Sequence, residues 1–353
     1  MRRLRVGVIG QGRSGHNIHV AALKLMPGKF KIAAVADPLE GRCDDAVNAT
    51  GCAAYTDYKE MLRRDGLDLV VNATPSHLHA SVTMEVMDAG FNVLREKPLA
   101  RRASEVDGLI AKSKKTGKLF AIFQQSRFAP YFQQVRKIIG SGVLGRIVMI
   151  KIAFNGFGRR WDWQTIQEYN GGNLLNTGPH PLDQALQLFG TDVMPDITCV
   201  MDRANTFGDA EDFVKLILRG EGRPTIDLEI SSCCAYPLHT YQVYGTNGGL
   251  KGNMSHLEWK YFKPKEAPKQ RLIREPAAAG RAYCSEKLKW YEKSWDVPAS
   301  QANMFEYMAK GFYSNLYDAL TKGAALVIAP EQVRQQIAVI EECHRQNPLS
   351  KLG

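Results

Sequence analysis

No stretch of the chain approaches the roughly 20 consecutive apolar residues that crossing a bilayer requires. The N-terminus, Met1-Arg2-Arg3-Leu4-Arg5, passes straight into strand-like sequence, without the apolar core and small-residue cleavage site of a secretion signal. A cytoplasmic location without membrane contact is therefore expected. The seven cysteines, at 43, 52, 199, 233, 234, 284 and 343, include no CxxC pair and no metal-ligand spacing. Scattered reduced thiols are the better reading than a disulfide framework or a zinc site, and no metal is expected. Helix-turn-helix, zinc-finger and basic-arm patterns are also missing, so the formal charge of +10 does not point to nucleic acid. The excess Lys and Arg are dispersed, at 101–102, 112–118 and 260–293 among other places, and read as solvated faces that leave some positive potential for a phosphate-bearing ligand. Internal repeats and low-complexity tracts are absent. The 353 residues, 44% of them hydrophobic, suffice for two domains with buried cores.

The strongest pattern present is Val6-Gly7-Val8-Ile9, an apolar run that stops in Gly10-Gln11-Gly12-Arg13-Ser14-Gly15. Glycines at 10, 12 and 15 permit a tight strand-to-helix turn, close approach of a pyrophosphate to the backbone, and close packing of helix on strand. The phosphates would lie on the helix N-terminus, where unpaired N–H groups and the helix dipole favour anions. A helix is expected over 16–26. The next apolar run, Ile32 to Ala36, ends in Asp37, 22 residues beyond Gly15, the distance at which a carboxylate takes a ribose 2′-hydroxyl. Asp37 favours NAD, because a carboxylate repels a 2′-phosphate; Arg13 and Arg42 keep NADP open.

Through the first half, strand-like segments at 4–9, 31–36, 68–73, 91–95 and 119–123 alternate with helical ones near 16–26, 40–49, 57–64, 78–89 and 103–115. That alternation predicts an α/β Rossmann domain with a parallel sheet buried on both faces. Two turns fall at the carboxyl ends of strands, where such sheets bind ligands. One holds Thr74-Pro75-Ser76-His77-Leu78-His79. The other is Arg95-Glu96-Lys97-Pro98, and its Lys97 should face the same crevice as the glycine turn.

The second half opens with an alternating strand, Ile147 to Phe154, and a loop, Asn155-Gly156-Phe157-Gly158-Arg159-Arg160-Trp161-Asp162-Trp163. Indole faces stack on sugar C–H groups while guanidinium and carboxylate groups bind hydroxyls, so Arg160, Trp161 and Asp162 suit a sugar platform; indoles are equally large core groups, and both readings stay open. Asn176, His180 and Asp183 would share one face if their segment is a continuous helix. Strands follow at 197–201, 212–219, 224–231 and 241–245, then a turn over Thr246 to Leu250. Residues 258–300 are charged and aperiodic, and read as a surface excursion. Helices at 303–321 and 331–345 close the chain.

The glycine turn, Ala36-Asp37-Pro38, Thr74-Pro75-Ser76-His77-Leu78-His79, Glu96-Lys97-Pro98, Gln125-Ser126-Arg127-Phe128 and Gly142 to Ile147 occur in the order and spacing of the Gfo/Idh/MocA oxidoreductases. The chain resembles that family along essentially its whole length. The resemblance implies a Rossmann domain over residues 1–124 and an α+β domain over 125–353, built on a large, mostly antiparallel sheet that binds substrate and pairs subunits into a homodimer or homotetramer. It implies hydride transfer between nicotinamide and a secondary hydroxyl of a sugar, sugar derivative or cyclitol. Cofactor contacts fall to Gly10, Gln11, Gly12, Arg13, Ser14, Gly15, Asp37, Thr74, Pro75, His77, Glu96, Lys97 and Gln125. Substrate contacts fall to Arg127, Arg160, Trp161, Asp162, Asn176 and His180, with Lys97, His180 and Asn176 at the reaction centre. The family pattern is Asp-x-Gly-x-His-x-x-Asp; His180 and Asp183 match it, whereas Asn176 stands where the first Asp belongs. An amide carries no charge to stabilise an imidazolium and takes no proton. Two other readings therefore stay beside the dehydrogenase: a lyase or glycosidase that oxidises transiently with held NAD, and a non-catalytic cofactor or sugar sensor.

Overall fold

The computed structural model describes residues 2–63, 66–275 and 283–351. Among them, the first half forms six parallel strands, β1 (Leu4–Ile9), β2 (Phe30–Ala36), β3 (Ala53–Tyr55), β4 (Leu69–Asn72), β5 (Asn92–Arg95) and β6 (Phe120–Ile122). Their order is β3-β2-β1-β4-β5-β6. β1 therefore lies between β2 and β4, pairing Val8 with Val35 on one side and with Val71 on the other. The chain winds outward in opposite directions from that point, which opens a crevice at the carboxyl ends of β1 and β4. Valine and leucine dominate because both faces are covered: all four residues of β4 are buried.

The five expected strands are present, and β3 is a sixth. Three residues, Ala-Ala-Tyr, are too few to show periodicity; they become a strand by pairing with Ala34–Ala36 of β2. The first helix also differs from the expectation. It begins at Arg13 as an eight-residue π-type helix, Arg13–Val20, and continues as one α-helical turn, Ala21–Lys24. The wide segment starts where Gly15 is pressed on the turn, since a Cβ there would stand 1.7 Å from the Gly10 carbonyl oxygen. The expected helix at 57–64 covers Tyr58–Leu62, capped by the Asp57 side chain, which accepts from the Lys59 N–H; residue 64 lies outside the described residues.

The second sheet has eight described strands: β7 (Ile147–Asn155), β8 (Asp196–Asp202), β9 (Phe213–Arg219), β10 (Thr225–Ser231), β11 (Tyr241–Gly245), β12 (Gly248–Gly252), β13 (His256–Tyr261) and β14 (Tyr291–Asp296). They run β14-β13-β12-β11-β7-β10-β9-β8, antiparallel except for β7 beside β10. Alternation sets its two faces. Val214, Leu216, Leu218, Ile226, Leu228 and Ile230 are buried on one, the face on which the helix Pro179–Phe189 packs against β10, while Pro330–Gln346 packs against β8. Lys215, Asp227 and Glu229 share the other, where the ammonium bonds both carboxylates.

Two expectations in this half are corrected. Residues 246–250 are not all turn: Thr246 and Asn247 alone reverse the chain, and Gly248–Gly252 is β12, paired with β11. Residues 258–300 are not a plain excursion either, because β13 and β14 form the sheet's edge across a long connection, part of which, 276–282, lies outside the described residues. Charged, non-alternating edge strands pair through backbone groups, so side-chain periodicity does not reveal them.

Candidate active site

The glycine turn is shaped by contacts specific to each glycine. Gly10 has φ +85°, and a Cβ there would sit 2.5 Å from the Ala73 carbonyl oxygen; Gly15 is closed off by Gly10 itself. Gly12 is different: the nearest atom to a Cβ would be Arg42 Nη1 at 4.0 Å. Its bare backbone therefore faces the crevice and leaves room for a ligand rather than for a neighbouring segment. Asp37 follows the end of β2 beside the turn. Its carboxylate accepts from the Gln11 N–H at 2.8 Å and the Leu39 N–H at 3.0 Å, and pairs with Arg42 at 3.7 Å.

The crevice holds about 400 Å³ and is lined by Gly10, Gly12, Arg13, Ser14, Asp37 and Arg42 on one side, by Thr74, Pro75, Ser76 and His79 from the turn after β4, and by Glu96 and Lys97. Asn72 fixes that turn. Its amide donates to the His79 carbonyl and Thr83 Oγ1, while its oxygen accepts from the Thr74 N–H and Oγ1. Of the two histidines there, His79 points inward, its ring braced between the Thr74 and Pro98 carbonyls. Burial, with the charge of Arg95 adding, lowers its pKa to about 3. His77, expected on the cofactor, is exposed and packs its ring on Tyr169 at 5.1 Å. Sequence spacing does not say which of the two faces inward.

Lys97 sits where the two domains meet. Its Nζ donates to the Asn176 carbonyl oxygen at 2.6 Å and to Asn176 Oδ1 at 3.3 Å. Burial lowers its pKa, and the charges of Arg13 and Arg160 push the same way against that of Glu96. Glu96 is itself buried, accepting from His19 Nε2 at 3.1 Å and the Lys97 N–H at 3.0 Å. Burial alone would raise its pKa; the His19 hydrogen bond and the neighbouring positive groups overcome that and hold it at about 2. His19 completes the chain by meeting the Tyr313 hydroxyl at 2.7 Å.

The segment carrying Asn176 and His180 is not one helix. Asn173–Asn176 ends at Thr177, and a new helix, Pro179–Phe189, carries His180 in its first turn. The break keeps Asn176 on Lys97 and sets His180 against Ser126 Oγ at 3.2 Å. Burial lowers the pKa of His180 to about 3, with the Lys97 charge adding. Asp183 does not join them. It forms a two-pronged ion pair with Arg127, which also donates to the Val327 carbonyl and Gln332, and both side chains are almost fully buried. Arg127, expected on the substrate, is thus committed to this internal bridge. Gln125 is buried beside it, its Oε1 without a protein partner, and does not line the crevice. Ser126, the partner of His180, has no local pattern that marks it, because the contact spans 54 residues.

The loop after β7 reaches the crevice too. Arg160, Asp162, Trp163 and Gln164 line it, whereas Trp161 is 77% exposed and meets Phe207 edge-on at 6.2 Å. The indole in the crevice wall is Trp163 rather than Trp161. Among the described residues no cluster of His, Cys, Asp and Glu could hold a metal ion, and no helix is long and apolar enough to cross a membrane.

The residues present fit a dinucleotide: a bare Gly12 backbone, a helix N-terminus and a carboxylate at the end of β2. Comparison with known proteins agrees. Residues 4–124 match the model of an oxidoreductase family with an NAD-binding Rossmann fold, and residues 132–251 match the GFO/IDH/MocA C-terminal domain. The scyllo-inositol 2-dehydrogenase (NADP(+)) IolW of Bacillus subtilis is 24% identical over 96% of this chain and 92% of its own. The 2,7-anhydro-N-acetylneuraminate hydratase of Mediterraneibacter gnavus is 27% identical over 72% of this chain and 68% of its own. In fold, the WlbA dehydrogenase of Bordetella pertussis, solved with NADH and UDP-GlcNAcA, aligns with a TM-score of 0.77 at 22% identity, covering 98% of this chain and 95% of that one. Matched along both halves, and carrying the turn, carboxylate and lysine of a dinucleotide crevice, the chain belongs to the Gfo/Idh/MocA family of NAD-binding oxidoreductases.

Proposed function

We propose that the protein transfers hydride reversibly between NAD and a secondary hydroxyl of a sugar, sugar derivative or cyclitol, with residues 1–124 holding the cofactor and 125–353 the substrate. The observation that carries this reading is the contact of Lys97, which lines the crevice, with Asn176, 79 residues away in sequence and four residues before His180, whose imidazole lies within the field of the Lys97 charge. Nicotinamide would supply the hydride acceptor, on a dinucleotide held by Gly10 to Gly15, Asp37, Thr74 and Pro75. The carbinol proton needs a base within hydrogen-bond reach. His180 is neutral near pH 7, and with its Nδ1–H directed to Ser126 Oγ its Nε2 is the accepting atom. Lys97 donates to the carbinol oxygen and stabilises the charge that develops there, while Asn176 fixes the ammonium by two contacts without neutralising it. Asp37 favours NAD over NADP.

A second reading has support in Asn176. With an amide in place of the family carboxylate, and with a hydratase among the relatives, transient oxidation followed by elimination or hydrolysis uses the same groups and leaves no net NADH. Incubation with NAD and a panel of sugars, cyclitols and glycosides separates the readings. NADH growth with one substrate class, lost by about 10²-fold or more in His180→Ala, with cofactor affinity retained, and likewise lost in Lys97→Met, supports the dehydrogenase. Product without NADH supports the internally recycled reaction. Cofactor binding with no product from any compound refutes both and leaves a sensor.

A further inference from the structure

The loop that follows β7 belongs to the second domain, yet Arg160 faces the crevice of the first. Its backbone is tied down on both sides. Gly156 and Gly158 donate to the Ser231 and Ser232 carbonyls at 2.9 Å, and the Arg160 carbonyl accepts from the Phe207 N–H at 3.1 Å. Asp162 is held as the cap of the short helix Trp163–Thr165, accepting from the Gln164 N–H at 3.0 Å. What is left to change partners is the Arg160 side chain. Its guanidinium forms a fork on Asp162, with Nε at 2.9 Å and Nη2 at 2.8 Å, and Nη2 also reaches Gln164 Oε1 at 2.6 Å. The pair is partly solvated, with side-chain exposures of 39% and 45%, so it contributes little to stability.

The charges of the crevice are unevenly answered. Asp37 is bonded to two backbone N–H groups and to Arg42, and Glu96 to His19. Arg13 has no ion-pair partner among the described residues, and Lys97 has only the neutral Asn176 on its Nζ. Besides Arg42, which pairs with Asp37, three cations, Arg13, Lys97 and Arg160, thus line the crevice together with the bare Gly12 backbone, and among the described residues Asp162 is the carboxylate bonded to any of these three charged heads. A carboxylate and a phosphate present the same two-oxygen edge to a guanidinium, so the Asp162 fork is also a phosphate-binding geometry.

We propose that Arg160 is a cofactor-binding residue that exchanges Asp162 for the dinucleotide pyrophosphate on the glycine turn, so that the second domain grips what the first domain holds. This differs from a substrate role for the same loop, and it rests on the dinucleotide assignment. The test is equilibrium binding. NADH titrated by fluorescence, and ADP and adenosine by calorimetry, are compared in the wild-type protein, Arg160→Ala, Arg160→Lys and Asp162→Asn. Arg160→Ala is expected to weaken NADH and ADP alike by roughly 10- to 100-fold, the range of one charge-assisted contact, and to leave adenosine, which has no phosphate, unchanged. Arg160→Lys should recover part of the loss, keeping the charge without the fork. Asp162→Asn should tighten ADP several-fold. NADH and ADP affinities of Arg160→Ala within about twofold of wild type overturn the proposal, as does an equal loss for adenosine; failure of the wild-type protein to bind NADH overturns the dinucleotide reading itself.

Discussion

Asp183→Asn removes one charge from the Arg127 bridge and nothing from the crevice. Arg127 and Asp183 have side-chain exposures of 2% and 3%, and the guanidinium presents Nε to Oδ2 at 2.9 Å and Nη2 to Oδ1. The remaining bonds of Arg127, to the Val327 carbonyl and Gln332, are neutral and stay in place. The variant therefore leaves a guanidinium out of water without a counter-charge, which costs about 3–5 kcal/mol. Urea unfolding at pH 7 should show that loss with an unchanged slope. The double variant Arg127→Met/Asp183→Leu, which removes the stranded charge, should regain most of it. Because Ser126 adjoins Arg127 and His180 lies one turn before Asp183, turnover should fall too, as the Ser126–His180 contact loosens. A stability loss below about 1 kcal/mol combined with abolished turnover would refute this reasoning and place Asp183 in the reaction centre.

The glycine turn gives a paired prediction. Gly12→Ala should fold with near wild-type stability and bind NADH at least 10-fold more weakly, whereas Gly15→Ala, whose Cβ would stand 1.7 Å from the Gly10 carbonyl oxygen, should fail to reach wild-type yield or melting temperature. Equal behaviour of the two would contradict the assignment of Gly12 to ligand and Gly15 to packing. Stability should also fall between pH 6.5 and 5. The folded pKa of His79 is lowered to about 3, so the unfolded chain binds more protons there, and stability present above the unfolded value is lost as pH falls. At pH 5 the loss from His79 approaches about 2 kcal/mol, at 1.36 kcal/mol per pH unit. His180, lowered to the same value, adds its own loss over the same range, so His79→Gln removes only the His79 share. Glu96, held at about 2, adds its loss only below about 4.5, so it is separable from the histidines. A flat stability profile from pH 7 to 5 that is unaltered by His79→Gln would count against it.

Local features were legible because covalent spacing alone brings their parts together. Gly10, Gly12 and Gly15 make one turn wherever the strand before them lies, and Asp37 ends the next strand, so the dinucleotide crevice and the parallel sheet follow from short-range pattern. Alternation likewise marked β7, and strand-rich composition marked β9 and β10, whose buried residues recur at every second position. Features made by distant partners left no such trace. β3 is a strand only because β2 offers an edge, and β13 meets β14 across 29 intervening residues, from Phe262 to Trp290. The site divides the same way. Sequence named Lys97, Asn176 and His180, but the break at Thr177–Gly178, which keeps Asn176 on Lys97 and turns Asp183 to Arg127, depends on where Glu211 anchors the preceding helix and Ser126 meets the imidazole. It likewise did not reveal that His79 rather than His77 faces inward, that Arg127 is an internal bridge, or that Trp163 rather than Trp161 walls the crevice. A pattern of residue types fixes which chemistry a chain carries, whereas a side chain's direction is fixed by the burial and hydrogen-bond partners that only the assembled fold supplies.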